Sequence, residues 1–396
     1  MPAADGLWCP SLDAVYRREK ESRQQMKYGI LWEMQLGPRP WPEGAEFNHY
    51  WDAIEQAKLA ERVGFDYLWH VEHHFLTEYS HGSSPEVWLS AVAQHTERIR
   101  IGHGVVLLPP KFNPPFHVAE RIAALDILSK GRVEFGTGRA ATASELEAFG
   151  IEPADARGMW LEALREIPKM WRDEPYPGVE GTYLKLPSRE VWPKPVQRPG
   201  PPMWMAASSP ESFEIAGRNG LGVLAFIIGH ADKLAPLIEV YRDAIKQCPK
   251  PPEEINNQMA AYVLTHCAES RDEARAIGGP AVEWYNANVF QLFSTVSGKP
   301  GYEVYARMLP EDAADIERLV GKYGNVIDAL IDLGVISVGS PDECLNTINS
   351  FAALDIDQII TSHAIGGMPH DKVMRSIELF GAEVIPRVVS SCSVPA

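Results

Sequence analysis

Short apolar runs alternate along the chain with longer stretches whose apolar residues recur at helical spacing. Lys27 to Gln35 (KYGILWEMQ) is the first run that reads as a strand, and a Pro/Gly-rich loop follows it. Phe47 to Val63 has the helical period, and Gly64 is placed to close that helix. The unit then repeats. Strands are predicted at Phe65–Val71, Ile99–Pro109, Arg132–Gly138, Met203–Ala207, Gly222–Ile228 and Met259–Cys267. Helices are predicted at Pro85–Glu97, Pro115–Ser129, Ala154–Trp171, Pro210–Asn219 and Ala231–Lys246, with another starting at Arg271. Asp173 to Pro202 is rich in proline and glycine and reads as an excursion holding a hairpin (GTYLKLP). An eighth strand fits Asp357–Thr361, after a helix over Pro341–Leu354. Strand alternating with helix over this length predicts right-handed βα units on a parallel sheet, and eight units predict a closed (β/α)8 TIM barrel.

Two segments fall outside that rhythm. Residues 1–26 have no clear period and read as a tail or an extra helix; the barrel domain spans 27–390. Residues 278–325, between the seventh and eighth strands, form the largest insertion and include the aromatic stretch VEWYNANVFQLF. An insertion there is expected to cover the C-terminal mouth of the barrel, where active sites sit. A subunit contact is the alternative use for its aromatics.

Composition narrows the class. The net charge of −16 argues against nucleic-acid or anionic-membrane partners. Cys9, Cys248, Cys267, Cys344 and Cys392 are widely spaced with no CxxC pair, which fits free thiols better than a disulfide frame or a zinc site. With no signal pattern and no long apolar span, a cytoplasmic protein is expected.

The chemistry concentrates at strand ends. Val71-Glu72-His73-His74-Phe75 closes the second strand. One carboxylate and two imidazoles in a row are costly to desolvate, so packing alone does not explain them. Continued alternation puts Glu72 and His74 on one face and His73 on the other. In Ile101-Gly102-His103-Gly104-Val105 the glycines signal a bulge, a close approach to the backbone, or plain packing. Gly136-Thr137-Gly138-Arg139-Ala140 launches Arg139 from a buried strand. Ala141 stands where a Rossmann fingerprint needs its third glycine, so the guanidinium is aimed either at a phosphate or at a structural partner such as Glu72. In Ser208-Ser209-Pro210-Glu211-Ser212, proline at the first helical position makes Ser209 the N-cap. A helix start with added hydroxyls suits an anion, though capping alone also explains Ser209.

With those residues in place, the sequence resembles the bacterial luciferase-like flavin-dependent monooxygenases. VEHHF at 71–75, IGHGVVLLP at 101–109, HVAERIAALDILSKGRVEFGTGR at 117–139 and ASSPES at 207–212 carry the resemblance. It implies FMN, bound as FMNH2, across the barrel mouth, with its phosphate held by Arg139, Ser208, Ser209 and Ser212. His73 takes the place of the active-site histidine, with Glu72, His74, Gly104, Val105 and Gly138 contributing to cofactor binding. A non-proline cis peptide is implied at Gly104-Val105. The implied reaction is oxygenation by O2 through a C4a-peroxyflavin. A separate NAD(P)H:flavin reductase would supply the FMNH2, and the protein would be a homodimer through helices two and three. The acceptor would be a small apolar molecule in a covered pocket, with Trp69, Phe75, Trp88, Trp284, Phe290 and Phe293 as candidate walls; ordinary core is the alternative for these aromatics and the expectation for Trp69. Luciferase members carry cysteine where Gly138 stands here, and often glutamate where Ser208 stands, which argues against light emission from long-chain aldehydes. A deazaflavin F420-dependent oxidoreductase, a non-catalytic flavin-binding homologue, and a metal-dependent hydrolase built on His70, Glu72, His73, His74 and His81 are the alternatives.

Overall fold

The runs read as strands are apolar on both faces, and a strand of that kind is stable only when covered on both sides. The computed structural model, which describes residues 26–226, 231–300, 302–303, 318, 320–322 and 324–388, covers them by closing the sheet. The barrel strands are β1 (Lys27–Trp32), β2 (Tyr67–His70), β3 (Arg100–His103), β4 (Val133–Gly138), β5 (Met203–Ala207), β6 (Gly222–Ala225), β7 (Met259–Cys267) and β8 (Gln358–Ser362). Each pairs in parallel with the next, and β8 returns to β1 with Lys27 opposite Gln358. Helices run between the strands, so the expected TIM barrel is the observed fold. No helix among the described residues is long and apolar enough to cross a membrane.

The barrel interior is packed around two tryptophans. Trp69 of β2 and Trp204 of β5 meet edge to face at 5.4 Å, and Tyr67 stacks on Trp69 at 6.2 Å. Below them Trp204 donates its indole N–H to Glu134 (2.6 Å), which also pairs with Arg100. Indoles of this size need empty space on neighbouring strands, and glycines provide it. A Cβ on Gly102 would strike the Trp69 ring, and one on Gly222 would lie 2.6 Å from Trp204. Gly102 is therefore a packing glycine, and its neighbour across the strand pair is an indole rather than a helix.

Local structure departs from or adds to the sequence reading at several points. Ile99–Pro109 is not one strand: β3 stops at His103, a cis Gly104–Val105 peptide follows, and a two-residue strand (Val106–Leu107) resumes beside β4. The helix starting at Arg271 runs unbroken through Gly278 to Ser294. Gly278-Gly279-Pro280 has the composition of a break. Here Gly278 instead lets the helix lie against the barrel, since a Cβ there would come within 2.9 Å of His266. A short helix over Ala143–Ala148 and an extra strand, Ser337–Gly339, beside β7 were not foreseen. The hairpin in the excursion is present as Val179–Glu180 against Lys185–Leu186. The tail over 1–25 and most of the second half of the insertion lie outside the described residues.

Candidate active site

At its C-terminal end β2 leaves the sheet after His70, and the next residues enter the mouth of the barrel. Glu72 and His74 do fall together, as alternation requires: His74 Nε2 donates to Glu72 Oε1 at 3.1 Å. Glu72 also accepts from the Leu107 amide (2.8 Å) and from Asn113 Nδ2 (2.8 Å). The carboxylate thus ties the end of β2 to the segment carrying the cis peptide. His74 lies along Phe112 and edge-on to Phe149, away from the cavity described below.

His73 points the other way. Its Nδ1 lies 3.1 Å from Oε1 of Glu145, a fully buried residue of the Ala143–Ala148 helix. Thr142, the N-cap of that helix, donates its hydroxyl to the second Glu145 oxygen at 2.6 Å, and the His74 amide donates to Oε1 at 3.0 Å. An ionised carboxylate accepts only, so Nδ1 carries a proton and Nε2 is the nitrogen left to titrate. Burial disfavours the charged imidazole, but the Glu145 carboxylate, with Glu33 and Glu72 beyond it, outweighs burial and raises the His73 pKa. Burial likewise pushes Glu145 up, but His73, Thr142 and the His74 amide bring it below its usual value. Sequence reading missed Glu145. Thr142-Ala143-Ser144-Glu145 fits the capping-box spelling, which was the available signal.

The pair's contribution to stability is fully present between the ordinary carboxylate pKa of 4.5 and the ordinary imidazole pKa of 6.5. It fades as pH falls through the depressed Glu145 value or rises through the raised His73 value. Glu145→Gln is therefore expected to lower the His73 pKa, seen by NMR titration of the ring, and to cost about 1.5–3 kcal/mol of stability inside that window. An unchanged His73 titration would remove Glu145 from this role.

Arg139 leaves β4 next to Gly138. A Cβ on Gly138 would collide with the Val105 side chain, so a larger residue there cannot coexist with Val105 as placed. The guanidinium lies 4.1 Å above the ring of Tyr302, whose hydroxyl donates to the Ala140 carbonyl. Glu72 is committed to the partners already named, none of which is Arg139.

At the end of β5, Ser209 caps the Pro210–Arg218 helix as expected, its hydroxyl accepting from the Ser212 amide at 3.2 Å. Ser212 Oγ accepts in return from the amides of Ser208 (3.1 Å) and Ser209 (2.9 Å). The capping reading is correct, and it does not exclude an anion at the same helix start.

These groups open into one cavity of about 870 Å³. Its lining includes Glu72, His73, Gly104, Val105, Gly138, Arg139, Ser208, Ser209 and Ser212, so nine of the ten expected site residues converge and His74 does not. Arg157 and Lys233 add positive charge at the serine end, with Arg157 paired to Glu211. The opposite wall is Leu76, Tyr79, Tyr262, Val289, Leu292 and Phe293. Of the aromatics expected to line a pocket, Trp69 and Phe293 do so. Trp88 packs on Trp32, Trp284 stacks on Tyr79, and Phe75 and Phe290 are exposed. His103 is buried beside Phe135 outside this lining, and burial lowers its pKa to about 4, leaving it neutral.

The histidine cluster does not assemble as a metal site. His70 bonds to the Trp32 carbonyl and packs on Trp88, while His81 bonds to Glu46 and the Thr77 carbonyl. Among the described residues no three His, Cys, Asp or Glu side chains are grouped to hold a metal ion.

Comparison with known proteins identifies relatives of the chain. The sequence is 28% identical over 348 residues to 4-hydroxyprotoasukamycin monooxygenase of Streptomyces nodosus subsp. asukaensis, covering 85% of this chain and 86% of that one. It is 28% identical over 240 residues to the oxygenase component of the flavin-dependent trigonelline monooxygenase of Acinetobacter baylyi, covering 60% and 64%. The crystal structure of monooxygenase RslO1 from Streptomyces bottropensis superposes with a TM-score of 0.75 at 28% identity, covering 91% of this chain and 99% of that one. The family description "luciferase-like monooxygenase" matches residues 26–358, and the chain belongs to that family.

Proposed function

We propose that this monooxygenase is the oxygenating half of a two-component system that takes reduced FMN from a separate NAD(P)H:flavin reductase and oxygenates a small, largely apolar substrate. One observation carries the reading: Arg139, the serine-capped helix start and His73 share one cavity. The residues suit the cofactor. A terminal phosphate matches a guanidinium, hydroxyls and a helix N-terminus at one end. A flat ring would lie along the part of the lining formed by Gly104, Val105 and Gly138, with His73 in the same cavity. The cavity volume lies within the range of about 300–1,000 Å³ usual for small-molecule and cofactor sites.

Bound reduced flavin supplies the electrons and activates O2; the chain's own residues do the rest. Arg139 and the serines anchor and orient, the Glu72 clamp fixes the strand ends around the ring, and apolar side chains keep water out. His73, held through Nδ1 by Glu145, presents Nε2 to accept or return a proton. The trigonelline relative is named an oxygenase component, which supports a reductase partner for this chain. We place a homodimer contact on the Pro85–His95 and Pro115–Leu128 helices, where Val87, Ile127 and Leu128 are exposed. The described part of the 278–325 insertion, which brings Val289, Leu292 and Phe293 to the cavity, serves as cover for the mouth.

Anaerobic titration of the purified protein with FMN, reduced FMN and F420 tests the cofactor. Tightest binding by reduced FMN is expected. A preference for F420, or no flavin binding at all, would overturn the assignment.

A further inference from the structure

The cavity has a second polar pole, away from Arg139 and the serines, which the proposed flavin site does not use. Glu33, just past the end of β1, is 5% exposed and lines the wall facing His73. Its Oε2 accepts from Gln35 Nε2 at 2.7 Å, and Gln35 in turn accepts from the Gly366 amide. Its Oε1 accepts from Tyr79 at 2.8 Å and from Tyr285 at 3.4 Å. Tyr262 donates to Tyr285 at 3.3 Å. Tyr285 is fully buried, whereas Tyr262 and Tyr79 reach the cavity.

The direction of these bonds matters. An ionised Glu33 accepts only, so Tyr79 and Tyr285, whose hydroxyls lie 3.3 Å apart, both turn their protons to it, and Tyr262 points its proton at Tyr285. The Ser362 hydroxyl also bonds to the Tyr262 oxygen, which leaves Tyr262 a remaining lone pair as its outward function. Around it Phe226 stacks at 5.4 Å, with Phe293 edge-on to Phe226. An apolar slot that ends in a hydrogen-bond acceptor selects an aromatic or enolic ligand bearing a hydroxyl. From the functional reading above, on which this rests, we propose that the substrate carries a phenolic or enolic hydroxyl. Tyr262 receives that group, and Glu33 takes its proton through Tyr285. In this relay the substrate O–H proton passes to Tyr262, the Tyr262 proton to Tyr285 and the Tyr285 proton to Glu33. The result is a substrate oxyanion hydrogen-bonded by Tyr262 and a neutral carboxyl, with no net change in atoms or charge. An oxyanion enriches the attached ring or double bond in electrons, the state that an electrophilic oxygen donor attacks.

The surroundings of Glu33 agree with a base of this kind. Burial raises its pKa to about 7 against the opposing effects of Tyr79, His73 and Tyr285. His73 faces it from the end of β2, Tyr79 from the following loop, Tyr262 from β7 and Tyr285 from the 271–294 helix. Glu145 and Glu72 act beyond His73. A group near that pKa accepts a proton and gives it back at neutral pH.

The test uses 4-nitrophenol, whose neutral and ionised forms absorb at different wavelengths, and 4-nitroanisole, which lacks the proton. Binding of both is measured on the whole chain with FMN present and absent. About tenfold tighter binding of the phenol is expected, with the bound probe ionising at lower pH than in buffer. Tyr262→Phe and Glu33→Gln should each reduce the preference to within about twofold and erase the spectral shift, while leaving FMN affinity unchanged. Equal or absent binding of the two probes, or a preference that survives both substitutions, overturns the proposal. Loss of FMN binding in the wild type alongside an intact phenol preference would count against the flavin reading alone.

Discussion

His73→Ala is expected to lower turnover by about 10²–10⁴-fold, the range that a positioned general acid or base supplies. FMN affinity should stay within a small factor of wild type, because His73 is bonded to Glu145 and is not one of the cations and hydroxyls proposed to hold the phosphate. Three readings separate proton transfer from simple loss of shape. The pH limb that reports His73 should disappear from the rate profile. Added imidazole should restore part of the rate. His73→Gln, which keeps a polar group without a titrating nitrogen, should be nearly as slow as the alanine variant. Product formation with reduced FMN supplied chemically measures all three without depending on the reductase. Turnover at the wild-type rate in His73→Ala would show that the proton moves by another route. The Glu145 carboxylate makes that outcome hard to reconcile with the geometry, since a buried carboxylate bonded to an imidazole fixes both its tautomer and its direction.

The second large effect concerns Arg139. Arg139→Met keeps an unbranched stem over Tyr302 and removes the charge. Hydrogen bonds to ionised groups are worth about 1.5–3 kcal/mol, so FMN affinity should fall roughly tenfold to a hundredfold. Riboflavin, which has the ring and no phosphate, should bind both forms alike. Wild-type affinity for FMN should weaken with salt, and the variant's should weaken less. Arg139→Lys should fall between them, because an ammonium supplies charge but not the planar fork. If FMN and riboflavin lost affinity equally, Arg139 would be a structural residue held by Tyr302 and not a phosphate ligand.

Strand ends were the legible part of this site. A parallel barrel must bury its strands on both faces, so each appears as an apolar run, and a charged residue just past such a run is already at the mouth. That logic locates His73, Arg139 and the three serines from sequence alone. The partners that tune them were hidden for a different reason. Glu145 lies 72 residues from His73, on a helix too short to show a period. Glu33 falls inside the run KYGILWEMQ and reads as the tail of a strand. Tyr285 follows Gly278-Gly279-Pro280, a spelling that signals a break, yet it stands 252 residues away from Glu33 on an unbroken helix. Local sequence carries propensity and burial. Which distant side chains meet is set by closure of the barrel, and closure brings β1, β7 and the helix after β7 to one side of the mouth.

That side of the mouth has its own consequence. Residues from the ends of β2 to β5 face one half of the chamber, fixed by backbone bonds across the sheet. One helix, Arg271–Ser294, supplies Val289, Leu292 and Phe293 to the other half, beside Leu76, Tyr79 and Tyr262. A lineage could therefore retune what it oxidises by drift within a single helical panel, leaving the machinery for oxygen untouched.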